Sequence, residues 1–317
     1  MDLEKVYVSV GDVNGVGLEL ILKNHEAIAK VCKPVYCVDS RILDQASAWL
    51  GLPLPNDLCL ASLDSKNLDI APGLATKPSG AYSFASFSQA LELALEAGCG
   101  LVTLPVNKLA WNLAGIPYAG HTEYLRARFK REVLMVLGCK DMLVALFSDH
   151  VPLRAVFERL TKENMRRFLE LLYESFLARA GGLTSVGVLG LNPHAGEGGI
   201  LGLEDEVIKK ALEEVNSALG LEVFVGPLAP DSAFSPKNRE RFRIFVAPYH
   251  DIGLSALKAL YFHKSINLSL NLPLLRVSPD HGTGFDIAYK RPSLLDSRSY
   301  LEAIDFVLTN PYNLAPS

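Results

Sequence analysis

The sequence predicts an α/β protein built on a largely parallel β-sheet with helices on both faces. Short apolar runs with the length of buried strands alternate along the chain with longer segments that carry apolar residues at helical spacing. The strands run into loops rich in glycine, proline and helix-capping residue types, as in successive βα units. The 317 residues, 49% of them hydrophobic, suffice for two domains or one large α/β unit, and no Pro/Gly/Ser-rich linker divides them.

The first third of the chain is predicted to alternate between strands and helices, apart from a loop-rich stretch at residues 51–73. Its strands are expected at residues 6–10, 34–38 and 100–104. Its helices are expected at residues 18–29, 41–50 and 83–97. Because Asp39 and Ser40 are residue types that cap helices, the second helix is expected to begin beside them.

The centre of the chain predicts a β-hairpin rather than another βα unit. Residues 133–137 and 142–147 are apolar strand candidates, and the turn at 138–141 has the Gly and Asp typical of hairpins. Antiparallel strands joined by so short a turn set the middle of the chain apart from its ends.

Strands and helices alternate again in the second half. A long amphipathic helix at residues 161–180 is expected to start with Thr161 as N-cap and to stop at Gly181 and Gly182. The later strands are expected at residues 185–191, 223–225, 242–246 and 266–270. The later helices are expected at residues 204–219, from Asp251 as N-cap onward, and at 299–309.

Composition and charge exclude several classes of protein. The formal net charge of −4 gives no basic footprint for nucleic acid. No apolar stretch reaches the roughly 18 residues needed to cross a bilayer, and the charged start lacks the pattern of a signal peptide. The five cysteines are scattered without CxxC spacing, as expected of reduced thiols. We therefore expect a soluble cytoplasmic protein that binds neither nucleic acid nor membranes.

Three histidines share one sequence context, because each follows an apolar strand. His150, His194 and His250 stand in Ser-Asp-His, Asn-Pro-His and Pro-Tyr-His. Open α/β sheets bind ligands at the carboxyl ends of their strands, so these imidazoles are expected to converge on one edge. Three neutral imidazoles suffice to bind a divalent metal with an open coordination position. On spacing alone, the alternative of three ordinary surface or core histidines stays open.

Other polar segments are ligand candidates, each with a plain structural alternative. The loop 11–17 follows the first strand and opens a helix, as a phosphate loop does, but it matches neither GxGxxG nor a Walker pattern. His121 and Thr122 can anchor a carboxylate or phosphate, or Thr122 can cap a helix. Lys258 and Arg276 can hold an anion or be solvated surface charges.

Five longer motifs occur in order along the chain. They are Gly-Ile-Pro-Tyr-Ala-Gly-His-Thr-Glu at 115–123, Gly-Leu-Asn-Pro-His-Ala-Gly-Glu-Gly-Gly at 190–199, Gly-Pro-Leu-Ala-Pro-Asp at 226–231, Tyr-His-Asp-Ile-Gly-Leu at 249–254 and Asp-His-Gly-Thr at 280–283. Together they resemble the 4-hydroxythreonine-4-phosphate dehydrogenase family of pyridoxal phosphate biosynthesis. The motif at 190–199 is the most specific of them.

This resemblance implies a fold like those of the isocitrate and isopropylmalate dehydrogenases. That fold has two α/β domains with an interdomain cleft and is not a Rossmann fold. A terminal domain on the cofactor side is expected from residues 1–115 and 265–317, and a central domain with the metal site and dimer contacts from 116–264. The resemblance also implies a homodimer with its active site near the subunit interface.

The resemblance assigns roles to single residues. The implied ligands of a divalent metal, zinc, magnesium or cobalt, are His150, His194 and His250. The implied substrate-binding residues are His121, Thr122, Lys258, Asn267 and Arg276. The candidates for catalytic proton transfer are Lys258, Asp231 and a water, and Asp231 matches an acidic site position of the family. By analogy with the related dehydrogenases, the expected contacts of NAD or NADP are His281, Gly282, Thr283 and Asp286.

The implied reaction is the NAD(P)-dependent oxidation of 4-phosphooxy-L-threonine to 2-amino-3-oxo-4-(phosphooxy)butanoate. That product decarboxylates to 3-amino-2-oxopropyl phosphate on the way to pyridoxine 5'-phosphate. One alternative is a related metal-dependent dehydrogenase of another phosphorylated hydroxy acid. The other is a non-enzymatic protein that binds anions or metals on the same scaffold.

The chain departs from the family pattern at several positions. In the opening loop, Val13 and Leu18 stand where the family has proline, so the loop conformation is expected to differ. Ile252 replaces a glutamine. Tyr-Lys-Arg at residues 289–291 replaces Gly-x-Gly, which leaves the choice between NAD and NADP open.

Overall fold

The structure is a computed structural model that describes residues 3–65, 68–179 and 185–309. Within these ranges the chain forms two compact units. The first contains the described residues up to Val133 and from Leu272 onward, and the second contains Leu134–Asn271. Among the described residues, no helix has the length and apolar composition required to cross a membrane.

Strands and helices alternate along most of the described chain. The strands are Lys5–Ser9 (β1), Lys33–Cys37 (β2), Cys59–Leu60 (β3), Gly100–Thr103 (β4), Leu134–Cys139 (β5), Met142–Leu146 (β6), Val186–Leu189 (β7), Phe224–Leu228 (β8), Ile244–Ala247 (β9), Ile266–Leu270 (β10) and Arg276–Pro279 (β11). The α-helices are Gly17–Ile28 (α1), Ser40–Leu50 (α2), Lys77–Ala97 (α3), Lys108–Leu113 (α4), His121–Phe129 (α5), Leu153–Arg159 (α6), Lys162–Ser175 (α7), Glu204–Leu219 (α8), Pro236–Arg241 (α9), His250–Tyr261 (α10) and Arg298–Thr309 (α11). Short 3-10 helices cover Leu177–Arg179 and Pro193–Gly199.

The strand pairings confirm the α/β fold class. Within the first unit, parallel strands lie in the order β3-β2-β1-β4-β11. Within the second unit the order is β10-β5-β6-β9-β7-β8. There β5 pairs antiparallel with β6, which confirms the predicted hairpin, and also with β10. The pairs β6–β9, β9–β7 and β7–β8 are parallel.

The compact units divide the chain at other points than the sequence-based domains, whose bounds of 1–115 plus 265–317 and 116–264 stay a prediction. Helix α5 belongs to the first unit because Leu125 is buried in its core. Tyr124 also packs there against Phe87, with ring centroids 5.3 Å apart. Strand β10 belongs to the second unit because it pairs with β5.

Local capping sets three predicted helix boundaries, which are confirmed. Asp39 is the N-cap of α2 and accepts a hydrogen bond from the Arg41 backbone N–H at 2.9 Å. Thr161 caps α7 in the same way, accepting from the Asn164 N–H at 3.2 Å. Gly220 ends α8 with a φ of 65°, a left-handed conformation that glycine adopts without strain.

Other helix boundaries differ from the prediction. Helix α3 begins at Lys77 rather than at residue 83, because Thr76 caps an earlier turn. Helix α7 ends at Ser175, and the predicted stop at residues 181–182 lies outside the described residues. The helices α4, α6 and α9 were not predicted, because segments of seven residues or fewer carry too little periodicity to identify a helix.

A buried carboxyl group lies in the loop between β1 and α1. Asp12 is 0% exposed and accepts hydrogen bonds from the Asn14 backbone N–H at 3.0 Å and the Ser79 hydroxyl at 3.2 Å. Burial raises the pKa of the Asp12 carboxyl to about 6, and the two hydrogen bonds oppose that shift. At neutral pH the fold therefore contains a carboxylate that burial disfavours.

Asp12→Asn is expected to raise the free energy of unfolding at pH 7 by roughly 1–3 kcal/mol, because one pKa unit corresponds to about 1.4 kcal/mol. The folded-state pKa of Asp12 lies above the unfolded value of about 3.9, so the folded protein holds the proton more tightly. The protonated Asp12 carboxyl therefore stabilises the folded protein relative to the ionised one. This contribution to the free energy of unfolding is complete below the unfolded pKa and is lost as pH rises through about 6.

Urea unfolding of both proteins across a pH series measures this difference. The advantage of Asp12→Asn should shrink as the pH falls and vanish near pH 4. A variant that is less stable than the parent at pH 7 would show that the ionised carboxylate is the stabilising form.

Candidate active-site residues

The three histidines singled out in the sequence follow neighbouring strands of the second unit. His150 follows β6, His250 follows β9 and His194 follows β7. Since β6 and β7 both pair with β9 in parallel, the three strands end at the same edge of the sheet. The rings of His150 and His250 meet there, with centroids 5.5 Å apart.

His250 is oriented by the residue that follows it. It is the first residue of α10, with Tyr249 as N-cap, so the prediction of Asp251 as the cap is wrong. The Asp251 carboxylate lies 2.8 Å from His250 Nδ1. A carboxylate that accepts the Nδ1 proton fixes the tautomer in which Nε2 carries the free lone pair, the form that binds metals.

His194 does not join this pair. Within the described residues, no three His, Cys, Asp or Glu side chains form a group that could hold a metal ion. His194 is exposed in the 3-10 segment Pro193–Gly199, where the φ angles of residues 194–198 lie between 43° and 76°. Left-handed backbone at three non-glycine residues stores strain, which occurs mostly at functional sites.

A buried carboxylate that sequence reasoning missed holds the start of this strained segment. Asp205 is 3% exposed and accepts hydrogen bonds from the Leu191 N–H at 2.7 Å and the Asn192 side-chain amide at 2.9 Å. A Cβ at Gly190 would lie 2.5 Å from Asp205 Oδ1, which explains the glycine there. The sequence signal for Asp205 was only that it is an acidic residue in the first turn of a helix. Acidic residues are favoured in the first turn of any helix, so this signal does not indicate a buried carboxylate.

The other candidate residues of the second unit lie on separate elements. Lys258 is half-buried on α10, and its ammonium lies 5.3 Å from the centroid of the Phe262 ring. Asn267 lies on β10, and its Oδ1 is buried without a hydrogen-bond partner among the described residues. Asp231 is exposed after β8.

A buried arginine organises the candidate residues of the first unit. Arg276 on β11 is 3% exposed, and its Nε and Nη2 donate to Thr103 Oγ1 at 2.9 and 2.6 Å. Nη2 also donates to His121 Nδ1 at 3.0 Å. Burial lowers the pKa of Arg276 to about 9. Thr103 was not singled out in the sequence, where it reads as an ordinary strand residue.

The imidazole of His121 is neutral and carries its proton on Nε2. Burial, and then the charge of Arg276, hold the pKa of His121 well below its usual range. Because Nδ1 accepts from Arg276, the proton is on Nε2, which is buried without a partner among the described residues. The rings of Phe87 and Trp111 flank the imidazole, with centroids at 4.6 and 5.6 Å. An N–H left in this state costs about 1–3 kcal/mol, so a ligand that accepts from it would bind favourably.

The helix that carries His121 differs from the sequence expectation. Gly120 is the N-cap of α5, and His121 is its first residue. Thr122 is therefore half-buried within the first turn and is not the cap.

The candidate cofactor loop, 281–286, lies against the loop 11–17. The Val16 N–H donates to the Thr283 carbonyl oxygen at 2.9 Å. His281, Gly282 and Asp286 are exposed. Every residue of the loop 11–17 is buried, so it has no open surface for a phosphate.

Comparison with known proteins finds a family whose model matches most of this chain. The model of the family described as "Pyridoxal phosphate biosynthetic protein PdxA" matches residues 30–307. The chain is 45% identical over 307 residues to 4-hydroxythreonine-4-phosphate dehydrogenase of Sulfurimonas denitrificans, covering 96% of this chain and 97% of that one. It is 46% identical over 319 residues to the enzyme of that name from Helicobacter pylori strain P12, covering 97% and 100%.

Solved structures agree with these sequence matches. The crystal structure of 4-hydroxythreonine-4-phosphate dehydrogenase from Klebsiella pneumoniae aligns with a TM-score of 0.85 at 28% identity, covering 99% of this chain and 98% of that one. A terephthalate 1,2-cis-dihydrodiol dehydrogenase from Burkholderia xenovorans LB400 aligns with a TM-score of 0.65 at 27% identity, covering 96% and 98%.

Proposed function

The chain belongs to the pyridoxal phosphate biosynthetic protein PdxA family, and we propose that it catalyses the NAD(P)-dependent oxidation of 4-phosphooxy-L-threonine. The product, 2-amino-3-oxo-4-(phosphooxy)butanoate, is a β-keto acid and decarboxylates to 3-amino-2-oxopropyl phosphate. The relatives at 45% and 46% identity, over nearly the full length of both chains, carry the name of this activity.

The structural observation that carries the proposal is the buried pair of Arg276 and His121. Arg276 is a buried cation that donates hydrogen bonds to Thr103 and to the neutral His121. His121 adds an N–H donor that the described protein leaves unsatisfied. A cation beside an unsatisfied donor fits an anionic group, and the substrate offers a phosphate and a carboxylate. Thr122, next to His121, is assigned to the same binding role.

We propose that imidazoles of the second unit bind a divalent metal such as zinc, magnesium or cobalt. His150 and His250 present neighbouring imidazoles, and the carboxylate of Asp251 orients the second. We assign His194 as the third ligand on the strength of its strained loop and its strand-end position. When bound, the ion supplies Lewis acidity that lowers the pKa of a substrate hydroxyl.

Asn267 and Asp231 complete the proposed contacts of the second unit. Asn267 Oδ1 is a buried acceptor without a partner in the described protein, which suits a donor such as the ammonium group of the substrate. Asp231 is an exposed carboxylate and is assigned to proton transfer, for which Lys258 is the alternative candidate.

Lys258→Ala is expected to raise KM for the phosphorylated substrate about tenfold with little change in kcat. The reason is that an ammonium which binds the substrate anion equally in the ground state and in the transition state contributes to binding alone. Steady-state kinetics measures both constants. Lys264→Ala, which removes an exposed lysine shortly after the same helix, is the matched control. A fall in kcat at unchanged KM would move Lys258 from binding to proton transfer.

The nicotinamide cofactor, NAD or NADP, is assigned to His281, Gly282, Thr283 and Asp286. These residues form a loop with exposed donors and a carboxylate suited to ribose hydroxyls. We also propose a homodimer in the cytoplasm. Ile200 and Leu203, 79% and 70% exposed beside the loop of His194, support a subunit contact. Five cysteines, none of them in a disulfide, support a reducing compartment.

A substrate panel tests the proposed activity. Purified protein with a divalent metal and either dinucleotide should produce the nicotinamide absorbance of NADH or NADPH with 4-phosphooxy-L-threonine. The unphosphorylated 4-hydroxythreonine and a cis-dihydrodiol are the comparison substrates, the latter because of the Burkholderia structure. Turnover only of another substrate would reassign the enzyme within its fold, and turnover of none would favour a binding protein.

A further inference from the structure

Tyr289 holds a backbone conformation that bulky side chains rarely adopt. Its φ is 59°, in the left-handed region where a Cβ crowds the backbone and which glycine occupies without strain. It is also the first of the residues that replace the family's Gly-x-Gly. Such strain persists only where surrounding contacts over-determine it, so the contacts of Tyr289 indicate what it does.

Two contacts hold the Tyr289 side chain, which is 8% exposed. Its ring meets the ring of Trp49 at an angle of 61° with centroids 6.4 Å apart. Its hydroxyl donates to the Val13 carbonyl oxygen at 2.5 Å. Burial, and then the charges of Asp12 and Glu19, raise the pKa of Tyr289 far above its usual value, so the hydroxyl remains a donor.

Tyr289 directly follows the turn that ends the loop 281–286. The backbone N–H groups of Ile287 and Ala288 both donate to the Gly284 carbonyl oxygen, at 3.0 and 2.8 Å. This turn connects the loop rigidly to Tyr289. A displacement of the Tyr289 side chain therefore moves the loop.

We propose that Tyr289 is a positioning residue that holds the loop 281–286 against the loop 11–17 in the conformation that binds the dinucleotide. The backbone hydrogen bond from the loop 11–17 to Thr283 fixes one end of the contact, and Tyr289 fixes the other. The acceptor of the tyrosine hydroxyl is the backbone carbonyl of Val13 in the loop 11–17, so the contact joins the two loops directly. The inference rests on the proposed role of the loop 281–286 in cofactor binding.

The energetic consequence of this role is that the loop 281–286 is preorganised for dinucleotide binding. A loop that is already in its bound conformation loses less conformational entropy when the dinucleotide binds. Removing the Tyr289 hydroxyl frees the loop, and part of the binding energy is then spent on ordering it. The affinity for the dinucleotide falls, while the affinity for the phosphorylated substrate does not change.

Equilibrium titration with NAD and with NADP tests this role without turnover. Tyr289→Phe removes only the hydroxyl and is expected to weaken dinucleotide binding roughly 3- to 10-fold, the effect of one lost hydrogen bond. Tyr289→Gly relieves the strained φ but removes both contacts, and should weaken binding further. Tyr82→Phe is the matched control, because Tyr82 is a buried tyrosine of the same unit whose hydroxyl accepts from the Asp39 N–H.

Acrylamide quenching of tryptophan fluorescence gives a second measurement on the protein without ligand. The chain has two tryptophans, and Trp111 is fully buried, so the quenching reports on Trp49, which is 50% exposed. Tyr289→Gly should raise the quenching constant, and Tyr82→Phe should not.

The outcomes separate the possible roles. Dinucleotide affinity lost in both Tyr289 variants and kept in Tyr82→Phe supports the proposal. Unchanged affinity in the Tyr289 variants, with thermal stability lowered as in Tyr82→Phe, overturns it and leaves Tyr289 as a structural residue. If the parent protein binds neither NAD nor NADP, the proposed cofactor fails and this inference fails with it.

Discussion

Arg276→Met is expected to lower kcat/KM for 4-phosphooxy-L-threonine roughly a thousandfold while the protein stays folded. Methionine fills a similar volume but removes the positive charge and the donors that face the proposed anion. It also leaves Thr103 Oγ1 and His121 Nδ1 without their donor. Each buried acceptor left without its donor costs about 1–3 kcal/mol, so Tm is expected to fall too, and kcat/KM is measured well below the Tm of the variant.

Two further variants test whether the loss of activity in Arg276→Met comes from the lost anion contact. Arg276→Lys keeps the charge but loses the forked donor geometry, and should give an intermediate loss. Arg128→Met is the matched control, because Arg128 is a half-exposed arginine of the same unit that pairs with Glu92. Near-normal kcat/KM in Arg276→Met would remove the anion-binding role of this site.

His250→Ala is expected to abolish dinucleotide reduction, a loss of roughly a thousandfold or more, because it removes a proposed metal ligand that nothing else replaces. Treatment with a chelator should have the same effect on the parent protein, and added divalent metal should reverse it. Metal content after dialysis, measured by atomic absorption, reports on binding independently of activity. His263→Ala, an exposed histidine shortly after α10, is the control.

Two related variants test the rest of the proposed metal site. Asp251→Asn weakens the orientation of His250 and should lower metal affinity about 10- to 100-fold. His194→Ala tests the ligand that the structure leaves apart from the other two. Full activity and full metal content in His194→Ala would reduce the site to His150 and His250. Full activity of the chelated parent would refute the metal role altogether.

Helix caps and apolar strand runs were predictable because each depends on a few adjacent residues. Asp39 and Thr161 cap helices through backbone groups two or three residues away. The hairpin of β5 and β6 followed from a short turn between two apolar runs. Asp251 failed as a cap because the strand end at β9 and the docking of α10 placed Tyr249 at that position instead.

The partners of the candidate site residues were not predictable in the same way. Arg276 meets Thr103 and His121, which lie 173 and 155 positions away along the chain. Of the three histidines, His150 and His250 come together and His194 does not, although all three share one sequence pattern. The hydrogen bond from the Tyr289 hydroxyl to the Val13 carbonyl oxygen joins residues that lie 276 positions apart along the chain.

The order of apolar and polar residues was thus enough to establish an α/β chain, and the motifs were enough to establish its family, since both are properties of short segments. Only the tertiary structure decided that Asp12 is buried and that every residue of the loop 11–17 is buried. It also decided that Arg276 donates to a neutral histidine whose N–H is unsatisfied among the described residues. The reason is that burial and long-range hydrogen bonds depend on which strands become neighbours. Segments far apart in the chain carry no local signal of that pairing.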